Sequence, residues 1–508
     1  MVLSYQASHV LTDRLLRSWV RCNRKAWLDR YGDQTSRLWS AHRSLELDHQ
    51  QKSLSELIPG KPGKGISACE EGLEGVMGLR LKGIGPSEEL LEAHPPLLQR
   101  IAGTSCWGEF VYRPVIARQG RKLTRDHKLT LSLLGLLLEQ LQKAPVPFGI
   151  VISKIHTGLE HQTISLHQAN LQKQLKSSLL KLDADLSRSE PPPLTLDRRK
   201  CSLCSWRGLC NIEAANTGNL SEVSGIGSKR KQILQEVGIS KVHELAIADP
   251  IALGNSLQHF GEQHGQIAEQ LVAQAKVQDK GLTERINYVE AIPELKQAPG
   301  VLLYDIESDP DIHDDFLHGF IRLNRAANGQ WDLKRAKYHP ILALHEHGKA
   351  ICWKRLKKKL TIYKDWPVLH YGETEEISLI RLAQKQGTNE KELEELKHRF
   401  IDIHARLRMH WRLPLNNYGL KAVANWTGFE WRDKGVDGAR ALLWWRQWRD
   451  AENQTNRRAK RLRYLLKYNQ DDCLATWAVT QWLLNQDSVL TNNSIPNLSY
   501  MPQHQQTQ

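Results

Sequence analysis

From Gly300 the chain runs apolar through Val301-Leu-Leu-Tyr304 and stops at Asp305. A short apolar run with polar flanks predicts a buried strand, and His318–Leu323 reads as its hairpin partner. Pro367-Val-Leu-His-Tyr-Gly372 is a second short strand ending in a turn, with Glu375 at the start of the helix that follows. Long amphipathic stretches around residues 390–410, 436–467 and 469–484 read as helices. In the first half, Trp107–Val115 predicts a strand and Lys128–Leu136 a helix. Between the halves, Ser189-Glu-Pro-Pro-Pro-Leu194 stops any helix and predicts an extended connector. The segment from Leu220 to Lys280 is helical by its spacing, and the Asn-, Gln- and Ser-rich tail 487–508 predicts disorder. The expectation is an α/β multidomain chain with units at 1–215, 216–290 and 298–486.

Composition narrows the classes. Of 508 residues, 40% are hydrophobic and 25% charged, enough for packed cores and against wholesale disorder. No apolar run approaches the ~18 residues of a membrane span. Asp13, Arg14 and Arg17 fall where a signal peptide would need an apolar core, so a soluble, cytoplasmic protein with no membrane partner is expected. Eight cysteines are too few for a secreted disulfide scaffold. Lys and Arg outnumber Asp and Glu by 70 to 56, a net charge of +14, which favours a polyanionic partner, nucleic acid before membrane.

Candidate chemistry lies in the last third. On a strand, Asp305 and Glu307 share a face while Ile306 points into the opposite layer. Paired acids on one face repel each other unless a cation sits between them, which suits an oxygen-ligated divalent metal. Asp309, Asp311, Asp314 and Asp315 leave a plain acidic loop as the alternative. In Tyr468-Asn-Gln-Asp-Asp472-Cys-Leu-Ala-Thr476, the residues Tyr468, Asp472 and Thr476 recur every four positions and share one helix face.

This set resembles the DEDD exonucleases, the DnaQ-like branch of the RNase H fold, in the subtype whose third motif is Tyr-x-x-x-Asp. The resemblance covers roughly residues 300–484 and implies an RNase H-like α/β domain. It makes Asp305 and Glu307 the first motif, Glu375 the second and Asp472 the third, with Tyr468 orienting the attacking water. Most of the family has Asp where this chain has Glu375; a glutamate there resembles the RecB-like putative nucleases. Glu373 and Asp402 are rival ligands, Asp402 matching an accessory acid better, and Asp471 reads as solvated. The implied chemistry is hydrolysis with two Mg²⁺ or Mn²⁺ ions clamping the scissile phosphate. The basic run before the third motif, including Arg457, Arg458 and Arg461, fits phosphate contact. Trp444, Trp445 and Trp448 at helical spacing read as core.

Cys201-Ser-Leu-Cys204-Ser-Trp-Arg-Gly-Leu-Cys210 offers three thiolates, and Cys22 is the best candidate for a fourth. The one-plus-three pattern resembles the iron–sulfur nucleases, AddB-type helicase–nucleases and CRISPR-associated RecB-like exonucleases. The resemblance implies a [4Fe–4S] cluster stapling the ends of a PD-(D/E)xK domain, with zinc as the alternative metal. Cys69, Cys106, Cys352 and Cys473 have no partners at useful spacing. The PD-(D/E)xK acids are missing: the strand Trp107–Val115 lacks Glu-x-Lys, the helix lacks Gln-x-x-x-Tyr, and Glu109, Lys128 and His49 are weak substitutes. The first unit therefore reads as a degenerate nuclease domain.

Ser224-Gly225-Ile226-Gly227-Ser-Lys229-Arg230-Lys231 resembles a helix–hairpin–helix, with Gly225 and Gly227 allowing the tight turn. Lys229, Arg230 and Lys231 would then face a phosphate without reading sequence. The resemblances together imply a RecB-like putative nuclease: a metal-dependent exonuclease in DNA repair or recombination, acting 3′→5′ on single-stranded DNA rather than RNA, with a helicase as possible partner. The alternative is a nucleic-acid-binding scaffold with vestigial nuclease folds.

Overall fold

The computed structural model describes residues 10–58, 60–118, 122–155, 158–450 and 455–492. It is a mixed α/β chain that divides into two compact units, one of Met1–Thr217 with Gly227–Gln232, the other of Gly218–Ile226 with Ile233–Gln508. None of the helices among the described residues is long and apolar enough to cross a membrane.

The first unit carries a six-stranded sheet. Its order is Gly63–Lys64, Gly75–Met77, Leu97–Ser105, Gly108–Ala117, Phe148–Ile155 and Gly158–Ser165. The helix Arg125–Gln142 packs in the same core through Leu129, Leu131, Leu133, Leu134, Leu137 and Leu138. Leucines this dense on successive turns leave no polar stripe, which is why the helix is buried nearly all round. The proline cluster 191–193 has no regular structure, and Arg198–Leu203 and Arg207–Asn216 follow as a 3₁₀ turn and a helix.

In the second unit, Val242–Ile247, Pro250–Gln258 and Ala268–Lys280 surround a small core of Leu220, Ile226, Leu234, Leu245, Leu257 and Leu271. The sequence suggested a full helix ahead of Gly225, but Leu220–Glu222 is a single 3₁₀ turn.

A five-stranded sheet follows, ordered Lys337–Leu342, Asp314–Asn324, Gly300–Asp309, Val368–His370, Phe400–Asp402. The first three strands pair antiparallel, and the last two extend the sheet in parallel from Gly300–Asp309. Leu302, Tyr304, Phe320 and Ile341 point to one face, packed with Trp353, Leu356 and Leu360 of the helix Gly348–Ile362. Asp305 sits opposite Gly319 on the other face, against the long helix Thr455–Asn492, whose Cys473 Sγ lies 3.7 Å from the Gly319 carbonyl.

Three expectations change. The stretch 390–410 is not one helix: Glu390–Lys397 and Ile403–His410 flank the strand Phe400–Asp402. Phe400 and Ile401 are strand formers that gain a hydrogen-bonded partner in Val368–Leu369, and this outweighs helical continuity. Gly438–Asp450 and Thr455–Asn492 replace the expected helices 436–467 and 469–484. The tail read as starting at 487 is helical to Asn492, with Asp487 buried and paired to Arg285 at 2.8 Å; residues 493–508 lie outside the described ones.

Candidate metal centre

Strand and helix periods bring the acids together as side-chain directions require. Asp305 and Glu307 project from one face of the central strand, and Asp472 projects at them from the long helix. One carboxylate oxygen from each lies within 4.8 Å of the others, the one such group of metal-binding side chains among the described residues. Glu307 and Asp472 are buried and Asp305 is half-buried.

Their ionisation reports the crowding. Burial, then the charges of Asp472, Glu307 and Glu375, drives the Asp305 carboxyl well above its usual range. Glu307 is raised the same way, by burial and then Asp472, with Lys421 opposing. Asp472 is pushed up to about 6 by burial, against the pull of Trp431, Lys421 and Tyr468. Glu375, in the first turn of Thr374–Lys385, is pushed up to about 8, by burial and then by Asp402 and Asp472 among its acidic neighbours. Its Oε2 is shielded from solvent and accepts no hydrogen bond, although it lies outside the 4.8 Å group. Clustered acids and an orphaned carboxylate oxygen form a donor set that a hard dication would satisfy.

The rival acids fall elsewhere. Glu373 is exposed. Asp402 caps Ile403–His410 by accepting from the His404 and Ala405 amides and holds the Gly372 amide at 2.9 Å. The solvated reading of Asp471 is wrong: it is buried, and Arg432 Nε donates to it at 2.6 Å. The acidic stretch after Glu307 is not a bare loop, since Arg446 grips Asp309 and Asp311, Lys349 pairs with Asp314, and Ser308 donates to Asp315.

Several contributors escaped the sequence. Asn469 Nδ2 donates to Asp305 Oδ2 at 2.6 Å and in turn accepts from the Tyr338 hydroxyl at 2.7 Å. Trp431 Nε1 donates to Asp472 Oδ1 at 2.6 Å. The Lys421 ammonium sits 4.9 Å from the centre of the Tyr468 ring and donates to the Val436 carbonyl. Asn469 lay inside the quoted motif, and its place beside Tyr468 was its one visible signal; Trp431 and Lys421 carried none.

Residues 302–484 match the family model described as RNase_H superfamily. The C-terminal domain is RNase H-like. No curated protein matches this chain. The solved structure titled "Crystal structure of SSO0001" is similar at 12% identity over 42% of this chain and 89% of its own, with a TM-score of 0.24. Likeness at that level carries no argument.

The remaining candidates lie outside the RNase H-like domain's acid cluster. Arg458 stacks over Trp448 at 4.8 Å and Arg461 donates to the Gln447 carbonyl at 3.2 Å, while the Arg457 side chain is outside the described set. Trp445 is core, stacked 4.6 Å from Phe316, whereas Trp444 and Trp448 are half-buried. In the hairpin, Gly225 adopts a φ of 89°, open to glycine, and Lys229 is exposed. Arg230 is half-buried, and Lys231, expected to face a phosphate, is buried with its ammonium pushed down in pKa by that burial.

In the first unit, Cys22 joins the helices Asp13–Arg21 and Asn23–Tyr31, and Cys201, Cys204 and Cys210 lie on the segment 198–216. Trp206 Nε1 donates to Asp29 at 2.8 Å and Arg24 pairs with Glu213, so the two ends of this unit are tied together. The thiols sense one another: Cys204 and Cys210 raise Cys22, after burial, and Cys204 and Cys22 raise Cys201. Glu109 and Lys128 are exposed, and His49 is half-buried.

Proposed function

We propose that the RNase H-like domain is a metal-dependent exonuclease that hydrolyses phosphodiester bonds of single-stranded DNA, trimming 3′→5′, in repair or recombination. The observation that carries this reading is the convergence of Asp305, Glu307 and Asp472 within 4.8 Å. These three acids would hold the cations, with Glu375 closing the set. Divalent ions there supply an activated water and stabilise the charge on the leaving oxygen. The chain's own residues do the placing. Asn469 and Trp431 fix the rotamers of Asp305 and Asp472, Tyr468 orients the water beside Asp472, and Lys421 offsets part of the acids' charge beside that tyrosine. Arg458 and Arg461 lie on the same long helix, where they would meet phosphates.

The four cysteines would hold a [4Fe–4S] cluster as a staple. Zinc, held tetrahedrally by the same four thiolates, is the alternative metal. Lys229 and the turn at Gly225 and Gly227 would add a sequence-independent grip.

Anaerobically purified full chain, incubated with 5′-labelled single-stranded DNA and Mn²⁺, tests the reading. Stepwise shortening from the 3′ end that disappears in Asp305→Ala supports it. DNA retained but never shortened would establish the scaffold alternative.

A further inference from the structure

The sheet face opposite the acids carries a feature the nuclease reading leaves unused. Arg322 and Lys337 are direct cross-strand partners, so two cations stand about 5 Å apart at their Cβ atoms, an arrangement that destabilises a sheet. Their register places them on the face of Phe320 and His339, which the helix Gly348–Ile362 covers. That helix reads Gly-Lys-Ala-Ile-Cys-Trp-Lys-Arg-Leu-Lys-Lys-Lys-Leu-Thr-Ile. Lys359 lies near enough to Arg322, Lys337 and Lys358 for all three to depress its pKa, after burial, and Lys359, Lys337 and Arg322 do the same to His339.

Counter-charge does not explain the gathering. Lys357 pairs with Glu392 and Lys349 with Asp314, but among the described residues no carboxylate pairs with Arg322, Lys337, Lys354, Lys358 or Lys359. Arg322 Nε and His339 Nε2 are shielded from solvent without a hydrogen-bond partner. The exposed side of the same helix lines a shallow groove of about 370 Å³ with Lys354, Lys357, Lys358, Thr361 and Ile362. A lone basic helix is commonly a solvated face. Here three separate elements bring like charges together, which costs free energy that a bound polyanion would recover.

We propose that this face, built from Arg322, Lys337, Lys354, Lys358 and Lys359, is a binding surface for the phosphodiester backbone of a nucleic-acid strand, remote from the acid cluster. Four helical residues rise ~6 Å, so Lys354 and Lys358 stand one turn apart and can meet separate phosphates of one strand. Contacts from ammonium and guanidinium groups are to the backbone and independent of sequence. The proposal deepens the nuclease reading and rests on it for the identity of the polyanion.

Binding is measured on the full chain in EDTA, so that hydrolysis plays no part, with labelled oligothymidylate over a range of salt. Lys337→Ala/Lys354→Ala/Lys358→Ala is expected to bind ~10-fold more weakly, with the slope of log K against log salt shallower by about 2, at ~0.7 per single-strand phosphate contact. Its melting temperature should not fall, because repulsion is relieved. Lys385→Ala/Lys391→Ala, exposed lysines on neighbouring helices, should change affinity less than ~2-fold. Equal losses in both variants, or none in the first, overturn the proposal, as does a surface that captures poly-glutamate in preference to DNA. If the protein binds as expected but never hydrolyses DNA with Mn²⁺, the nuclease reading fails while this surface stands.

Discussion

Asn469, on the long C-terminal helix, donates its Nδ2 to Asp305 Oδ2 at 2.6 Å across 164 residues of sequence. The contact exists because Gly319, opposite Asp305 in the sheet, has no side chain: a Cβ there would fall 1.7 Å from Asn469 Oδ1. Tyr338, one strand further, completes the relay by donating to that same oxygen. A backbone gap, an amide and a phenol therefore set the direction of one carboxylate.

Asn469→Ala should reduce metal-dependent hydrolysis by ~10–100-fold, the usual cost of losing a residue that orients a metal ligand. It should also destabilise the fold by about 1–3 kcal/mol, since Tyr338 loses its acceptor. Gly319→Ala should mimic it by pushing Asn469 away. Nuclease assays and thermal melts of both variants check this; full activity in Gly319→Ala would show that the contact is dispensable.

The acid cluster makes the metal-free protein sensitive to pH. Carboxylates titrate near pH 4 in an unfolded chain, whereas here Asp472 is held up to about 6 and Glu375 to about 8. Raised values mean that the folded state keeps protons the unfolded state has released, so the cluster's contribution to stability is fully present below about pH 4 and lost as pH rises through 6 to 8. In EDTA, the melting temperature of Asp305→Asn should therefore overtake that of the native chain across this window. Mn²⁺ should stabilise the native chain and leave the variant little changed. Parallel melting curves at every pH would contradict the mutual repulsion.

Trp431 reaches Asp472 from a segment 41 residues earlier. Trp431→Phe keeps the aromatic packing against Phe429 but removes the N–H, and should lower hydrolysis ~10-fold. The apparent affinity for Mn²⁺ should weaken in step, as measured by titration of activity against metal. An unchanged Mn²⁺ titration would mean that the indole only packs.

The cysteines give a spectroscopic outcome. Protein purified without oxygen should be brown, absorb broadly near ~400 nm and carry about four irons per chain. Cys204→Ala should bleach the band and lower the melting temperature of the first unit. Colourless native protein with one zinc would overturn the iron–sulfur proposal.

Legibility in the sequence followed the range of the interaction concerned. The strand Gly300–Asp309 could be read from its apolar run, and the shared face of Asp305 and Glu307 from the alternation of a strand. The strand Phe400–Asp402 is hidden inside an apparent helix because its partner, Val368–His370, is 32 residues away. The same limit misplaced Asp471: local helix geometry turns it away from Asp472's face, and only the approach of Arg432 buries it.

By itself, the chain's order of residues determined which acids exist, which elements carry them and which way each points along its own element, because period and turn chemistry act between near neighbours. Tertiary structure alone decided that three of those acids meet, that Glu375 stands just outside their group, and that Asn469 and Trp431 hold two of them. It alone set Arg322 beside Lys337 on the opposite face. Those outcomes depend on strand register and on how closely a helix can approach a sheet, quantities that side chains far apart in sequence settle jointly.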